Sequence, residues 1–561
     1  MTRRRGILSV VVALLAIALA ACTGLPTSGP VNYGLPNDDA PDSDEVSFLL
    51  PDRPQPGASP EQIVEGFIRA GSGPGLNSNW DRAREFLTPA LAATWKPQAG
   101  VLVDVFDDRG YEVPQDGIVQ LNVTAVATVD DKGAYERAEV GGRQLPFVLE
   151  QRDDDEWRIS QAPDGVVLDR EEFPRVFHRY AVMYFDPTWE YLVPDARWFP
   201  PTNAPASVAN ALNGLPSAWL AESVTSAFVE GVEVGASVPV SGGVAEVDLS
   251  EAALSTDSET LDRMYTQLQA SLGTAGVTQV ELTVESTPID AETVPVRSTR
   301  VTGAPLVLTE NGFGFLTGGD QIEPIPGLSD VVQEFQPVAV QVSPDRDAAA
   351  VRVPTGEVLR LTDHQTDTLL DPRPALVDPT IDPFGYVWSV PSDAPADVHA
   401  FADDGTLVEV ADAWSGATAI GAMAVSRDGT RIAAVVTAGG RTALWVAGIV
   451  RGRDQVPIRL GDPVQLNAVD GAGRGLAWVD DLSVGVLAGD AEGSVVLEQV
   501  IGGTSTSSAA AAGMAGIAGG TALSSVRLRA EDGTLFVERG ASWQPTATGV
   551  LVLATQQGAP E

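Results

Sequence analysis

Val342-Ser343-Pro344-Asp345-Arg346-Asp347-Ala348-Ala349-Ala350-Val351 is echoed further along the chain by Val425-Ser426-Arg427-Asp428-Gly429-Thr430-Arg431-Ile432-Ala433-Ala434-Val435. In both, a polar turn carrying serine and aspartate separates two apolar runs, the pattern of adjacent strands joined tightly. Ile381-Asp382-Pro383-Phe384-Gly385-Tyr386-Val387-Trp388 lies between them, and Leu476-Ala477-Trp478-Val479-Asp480-Asp481-Leu482-Ser483-Val484 follows. The starts are 39, 44 and 51 residues apart, a period that suits the blades of a β-propeller, each needing such a turn and a downstream strand like Ala443-Leu444-Trp445-Val446. A β-sandwich with chance similarity of its turns is the competing reading. The repeat region, residues 301–556, has room for about five to six blades. Within it, the Gly/Ser/Ala tract 502–520 reads as a flexible inter-blade loop. Gly471-Ala472-Gly473-Arg474-Gly475 lacks the spacing and the following helix of a dinucleotide loop and reads as a turn.

Upstream the texture changes from short valine-rich strands to helical periods. Leu261, Met264, Tyr265, Leu268 and Leu272 recur at i, i+3, i+4, i+7 and i+11, and Gly273 and Gly276 end the run; this is an amphipathic helix over 258–275. A strand over 277–284 follows it. Residues 230–240 and Val244-Ala245-Glu246-Val247-Asp248-Leu249 alternate as strands around Ser241-Gly242-Gly243, and 207–212 form a short helix. Residues 191–300 are therefore a compact α+β domain.

The region before it, 59–190, opens on Ser59-Pro60-Glu61-Gln62, an N-cap serine, a proline at the first helical position and a glutamine placed for a capping box. Ile63, Val64, Phe67 and Ile68 form the buried stripe of the helix that follows. A second helical stretch over 79–87, with Trp80, Ala83, Phe86 and Leu87 apolar, breaks at Pro89. Strands come next, over 119–129, 145–149 and 157–159, and His178-Arg179-Tyr180-Ala181-Val182-Met183-Tyr184-Phe185 is strand-like. Helices first and an antiparallel sheet afterwards give a second α+β domain, similar to a cone-shaped NTF2-like scaffold.

The N-terminus carries Arg3-Arg4-Arg5, an apolar run over 6–18 and Leu19-Ala20-Ala21-Cys22. This reads as a signal peptide, residues 1–21, ending in a lipobox, with cleavage between Ala21 and Cys22. A short membrane anchor with an incidental cysteine is the other reading, but Cys22 is the only cysteine in the chain and stands where lipidation requires it. N-palmitoyl and S-diacylglycerol groups on Cys22 would hold the protein on the extracytoplasmic face of the cell membrane, since several acyl chains anchor where one does not. Residues 22–58, with seven prolines over 26–56, read as the lipidated cysteine and its tether; Val46-Ser47-Phe48-Leu49-Leu50 is apolar enough to dock on a folded domain.

Composition narrows the chemistry. A net charge of −41 excludes a nucleic-acid partner, because a basic face is needed to displace counterions. With 44% hydrophobic and 20% charged residues the chain is folded material, and arginine far outnumbers lysine, as high-GC genomes produce. The sole thiol being lipidated, disulfides, cysteine nucleophiles and cysteine metal sites are excluded. His178, His364 and His399 are the only histidines, the first in a different domain from the other two, which argues against a histidine-based metal site and a Ser-His-Asp triad; no cofactor is expected. His178 beside Arg175 and Arg179 shapes a polar pocket or, on the plainer reading, is a structural histidine. Asp107-Asp108, Asp130-Asp131, Asp153-Asp154-Asp155 and Asp480-Asp481 read as solvated turn acids. Trp189, Trp198 and Trp219, around the junction of the two α+β domains, are placed either to stack on sugars or to pack the domains together. No residue is assigned a catalytic role.

These residues together resemble the LpqB lipoproteins of actinobacteria. The resemblance rests on the lipobox with Pro26-Thr27-Ser28-Gly29-Pro30 after it and on Trp157-Arg158-Ile159-Ser160-Gln161-Ala162-Pro163-Asp164-Gly165. Leu212-Asn213-Gly214-Leu215-Pro216 and 244–250 are similar to the GerMN domain of sporulation and germination lipoproteins, and residue 306 onward resembles the family's propeller. It implies a multidomain protein, two α+β domains followed by an all-β propeller, that binds the extracytoplasmic part of an MtrB-type sensor histidine kinase and so affects cell-wall homeostasis, division and development. The alternative expectation is a protein that binds peptidoglycan or another wall ligand, or a carboxylate-dependent wall hydrolase.

Overall fold

The computed structural model describes residues 51–561 apart from 76–77, 139–140, 302, 363–366, 490–492, 523–524, 541, 559 and 561. The signal peptide, Leu19, Ala20, Ala21, Cys22 and the first part of the tether lie outside the described residues, as does His364.

The Pro60–Ala70 helix begins as its sequence requires. Ser59 accepts from the Gln62 amide, Gln62 Oε1 accepts from the Ser59 amide at 2.9 Å, and Ile63, Val64, Phe67 and Ile68 are buried. The next stretch differs from expectation. Trp80 sits in the left-handed region at φ 51°, leaving a single turn, Asp81–Arg84. Pro89 does not break a helix but starts one, Pro89–Thr94, with Thr88 as its cap, because proline's fixed φ and missing N–H suit a first helical position. The helices pack on a sheet ordered Trp157–Gln161, Gly142–Gln151, Ile118–Val129, Val101–Asp104, Val166–Asp169. Ile118–Val129 buries every second residue, the period-2 signature of a strand with one face on the core. Only the last pair, Val101–Asp104 with Val166–Asp169, is parallel, so the domain is mixed α/β.

His178–Phe185 pairs along its whole length with Leu192–Phe199. This hairpin runs through residue 190, and Tyr180, Val182, Phe185, Val193 and Phe199 belong to the core of the second domain. There Val244–Leu249 lies parallel to Gln279–Val284, and the Ser258–Gly273 helix makes the crossover that a parallel pair needs, burying Met264, Leu268 and Leu272. The strand expected over 230–240 is reduced to Val240–Ser241 and a bridge from Val234 to Leu249; Pro239 cannot donate to a ladder.

The third domain is a propeller-like ring. Six inner strands, Ala339–Val342, Thr380–Ile381, Ala419–Val425, Ala472–Trp478, Met514–Ala518 and Val550–Gln556, touch in that order and close back on the first. Each leads an antiparallel sheet of four strands, five in the third. The sixth sheet joins both ends of the domain, since Val550–Gln556 pairs with Leu306–Thr309. The echoing turns share one hydrogen-bond scheme: Ser343 Oγ donates to Asp347 and accepts from Ala348 N, and Ser426 Oγ donates to Asp428 and accepts from Arg431 N. Two readings are corrected. The 502–520 tract is strand, Ser505–Ala510 and Met514–Ala518, turned at Gly513 with φ 80°. Gly471 does turn, at φ 82°, but 472–478 is an inner strand. Small residues populate these strands because neighbouring sheets press on them: a Cβ at Gly473 would lie 3.2 Å from Val435 Cβ, and one at Gly475 3.0 Å from Ile517 Cγ2.

Candidate functional site

One face of the ring is covered by the second domain and the segment that follows it. The turns between first and second strands supply the contacts. Asp345 pairs with Arg297 at 3.2 Å, Phe384 meets Tyr191 edge-on at 6.2 Å, Asp481 accepts from Thr299 Oγ1 at 2.8 Å, and Ser483 accepts from Arg179 at 3.4 Å. At the rim Arg459 clasps both carboxylate oxygens of Glu222 at 2.8 Å, and Trp198 donates its indole N–H to Gly502 O at 2.9 Å.

Beneath this face lie buried ion pairs. Asp428 and Arg431 are each 1% exposed and paired, with Arg431 also donating to Asp481 O at 2.7 Å and lying 4.9 Å over the Trp478 ring. Burial opposes ionisation of Asp428, but Arg431 and Thr430 hold its carboxyl below the usual value. One sheet back, Asp382 takes Arg451 at 2.6 Å and the Trp388 indole N–H at 3.0 Å. These carboxylates are spent on packing the ring and offer no free acid or base. In the Asp480-Asp481 run, Asp480 is a turn acid, its Oδ1 accepting from Leu482 N and Ser483 N, whereas Asp481 accepts from Thr299 as part of the domain contact, and burial pushes its carboxyl up.

The opposite face carries turns 353–357, 391–397, 439–440 and 531–534, and among the described residues they make no hydrogen bond or ion pair with the first two domains. Thr355, Asp393, Asp397, Gly440, Glu531 and Asp532 are exposed there. Among the described residues, neither of the first two domains covers this face, and its turns are acidic.

The other residues singled out by sequence are scattered. Asp107 and Asp108 sit in a short helical turn, Asp130 Oδ1 accepts from Lys132 N and Ala134 N, and Asp154 pairs with Arg152 on the surface. His178 is half-buried in its strand and burial lowers its pKa; Arg179 reaches the propeller instead of sharing a pocket with it. His399 Nε2 lies 3.3 Å from Asp397, with its ring edge-on to Phe401. Trp189, under Arg263 at 4.4 Å, packs on the second core, and Trp219 packs against the propeller. The three tryptophans therefore form no common platform. No group of three His, Cys, Asp or Glu side chains among the described residues is placed to hold a metal ion, and no described helix is long and apolar enough to cross a membrane. The first domain has a partly open pocket of about 270 Å3 beside Phe67, Trp95, Leu145 and Phe147, with Arg143 and Asp164 on its wall. Sequence reasoning passed over Arg297 and Thr299, which lie in an extended segment with no periodicity to mark them.

Comparison with known proteins follows the same three parts. Residues 53–174 match the family pattern described as Lipoprotein LpqB, N-terminal domain; 181–290 match Sporulation and spore germination; 315–552 match Lipoprotein LpqB beta-propeller domain. Lipoprotein LpqB of Thermobifida fusca is 32% identical over 272 residues, 46% of this chain and 42% of the relative. The match thus spans less than half of that relative's length. Lipoprotein LpqB of Bifidobacterium longum is 26% identical over 467 residues, and that of Streptomyces coelicolor 27% over 489, each covering 78% of both chains. Among solved structures, a chain of the nidogen/laminin complex overlays 39% of this chain and 85% of its own length at TM-score 0.30 and 9% identity, too distant to argue from. With LpqB patterns at both ends of the described chain and a germination-type domain between them, the chain belongs to the LpqB lipoprotein family.

Proposed function

We propose that this protein is a non-catalytic accessory of a sensor histidine kinase, held on the extracytoplasmic face of the cell membrane by lipid on Cys22 and presenting its propeller to the kinase ectodomain. On this reading the first domain is an NTF2-like cone, the second a GerMN domain and the third a six-bladed propeller, and binding favours one conformation of the kinase. The open face of the ring carries the proposal. The other face is occupied by the second domain, so a partner of the propeller meets turns 353–357, 391–397, 439–440 and 531–534. Their excess of acid selects a partner surface with basic side chains and steers its approach.

Photo-crosslinking in cells from Thr355, Asp393, Gly440 and Asp532, with mass spectrometry of the adducts, tests it. The expected adduct is the kinase ectodomain, together with altered kinase output when Asp393, Asp397 and Asp532 are all changed to lysine. Adducts lacking any kinase, with kinase output unchanged in the triple variant, refute the proposal.

A further inference from the structure

Ser505–Ala510 is the outer strand of the fourth propeller sheet. Its register with Ser494–Val500 runs without a break, and Val500 N donates to Thr504 O at 3.1 Å, which fixes the phase of the ladder. In an antiparallel pair, residues that exchange hydrogen bonds alternate with residues whose N–H and C=O point away. Thr506, Ser508 and Ala510 therefore bond inward, and Ser505, Ser507 and Ala509 turn both groups outward. Among the described residues those outward groups have no backbone partner, and all three residues are exposed.

The other outer strands of the ring carry devices that stop an edge from pairing. Gln321–Glu323 and Leu407–Glu409 are three residues long, each ending on glutamate. Asp367–Asp371 has an aspartate at either end. Pro457–Leu460 opens on proline, Ser542–Ala547 contains Pro545, and both pair across a register shift. Val464–Ala468 is also shifted, and Arg137 of the first domain donates to its Leu466 O at 3.0 Å. Ser505–Ala510 is six residues with no charge, no proline and no bulge.

The side chains beside this edge are acidic. Glu498 lies directly opposite Thr506 on the same face. Ser508 Oγ accepts from the Trp543 indole at 3.2 Å and donates to Glu538, whose Oε2 is buried with no hydrogen-bond partner among the described residues. Burial pushes both carboxyls up, a cost that a nearby cation relieves. Arg137, near the Ser505 end, is engaged with Leu466 O and Asn467, and Arg179, which acts on Glu498, donates to Ser483.

We propose that Ser505–Ala510 is a docking edge for an extended, basic peptide segment of a partner protein, which joins the sheet as an added strand and sets a lysine or arginine beside Ser508, on the face that holds Glu498 and Glu538. Main-chain pairing supplies the affinity and the alternate side chains the selectivity. A second copy of the chain is a poor occupant, because two bodies of net charge −41 repel each other, whereas a basic segment is drawn in. The edge lies on the outside of the ring, apart from the turns of its open face, so its occupation does not depend on the kinase reading.

The test uses the full chain in detergent and, as probe, a fluorescein-labelled peptide of the strand's own length in which valine and lysine alternate, read by fluorescence anisotropy. Saturable binding is expected with a dissociation constant between about 10 μM and 1 mM. Ser507→Pro removes one outward donor and leaves the inward ladder intact, so it should weaken binding at least about tenfold, while Ser507→Ala binds as wild type. Ala509→Pro puts the same question at a second outward amide if Ser507→Pro fails to fold. A fully N-methylated peptide, which has no main-chain donor, should not bind, and a peptide with glutamate for lysine should bind at least about tenfold more weakly. Undiminished binding by folded proline variants or of the N-methylated peptide, equal affinity for the glutamate peptide, or no binding at about 5 mM probe would each overturn the assignment. So would a dimer of the chain alone in sedimentation that Ser507→Pro dissolves, since the edge would then belong to a second copy.

Discussion

Trp198 donates its indole N–H to the carbonyl of Gly502 at 2.9 Å, across 304 residues of chain. Its own amide donates to Gly133 O in the first domain, and its ring lies 4.9 Å from that of Phe173. One residue of the second domain therefore touches both others. Gly503 is held to glycine by the same ring, since a Cβ there would lie 2.8 Å from Trp198 Cζ2.

Trp198→Phe keeps most of the packing and loses the hydrogen bond, so it should cost about 1 kcal/mol. Trp198→Ala also opens a cavity and should cost about 3–5 kcal/mol. Urea unfolding measures both. Limited proteolysis should show cleavage near the domain junctions only for the alanine variant; equal resistance of both variants would mean the ring does not tie the domains.

Gly133 makes the approach of the first two domains possible. Its φ is +78°, and a Cβ there would stand 2.8 Å from the Phe199 ring and 2.9 Å from Trp198 N. Gly133→Ala should therefore destabilise by about 1–3 kcal/mol through strain and lost contact. The control is Gly57→Ala, which shares a positive φ of +72° but has nothing within 4 Å of the added carbon. If the two variants lose the same stability, backbone strain alone is responsible.

The features legible in the sequence were those whose causes are local. The capping box at Ser59 and Gln62, the stripe ending at Leu272, the alternation through Val119–Val129 and the serine-aspartate turns of the ring each depend on neighbours a few residues away. Ser343 and Ser426 repeat because each satisfies the amides of its own turn. The fifth and sixth sheets carry no such turn, which left the number of sheets open. Causes spread through space were not legible. Nothing near residue 190 announces that His178–Phe185 and Leu192–Phe199 pair within the second core, and the strands inside 502–520 owe their conformation to the sheets around them. Trp198 was visible as a residue of the junction, but its two partners, Gly133 and Gly502, are visible only in the fold.

The Asp428–Arg431 pair predicts how the ring responds to acid. The folded-state pKa of Asp428 lies below its ordinary value because Arg431 and Thr430 outweigh burial. A group depressed in the folded state adds stability above its unfolded pKa, about 3.9, and that stability is lost as pH falls through the folded value. Asp428→Asn should thus destabilise strongly at neutral pH, by about 3–5 kcal/mol, since Arg431 is left buried without its carboxylate. The difference from wild type should shrink once pH drops below about 4. Urea midpoints measured for both proteins from neutral pH downward check this; a gap that stays constant into acid would show that the pair is not the titrating source.

Closure of the ring depends on its last strand. Val550–Gln556 supplies the inner strand of the sheet begun by Leu306–Thr309, and its Thr555 and Gln556 run parallel to Gln341 and Val342 of the next sheet. Just beyond it Gln557, 2% exposed, donates to Gln341 Oε1 at 3.2 Å, Thr380 Oγ1 at 3.3 Å and Val425 O at 3.1 Å, joining the inner strands of the first three sheets. Deleting 550–561 removes Val550, Val552 and Ala554 from the core and opens Leu306 and Leu308 to water, at about 1.5–3 kcal/mol for each large apolar side chain uncovered. The truncated protein should lose the cooperative unfolding of the propeller. Gln557→Ala is the gentler form of the same test: it leaves the strand in place but strips buried acceptors of their donor, and should cost about 1–3 kcal/mol. If the truncated chain keeps a sharp calorimetric transition with wild-type enthalpy, the two ends of the domain do not hold the ring shut.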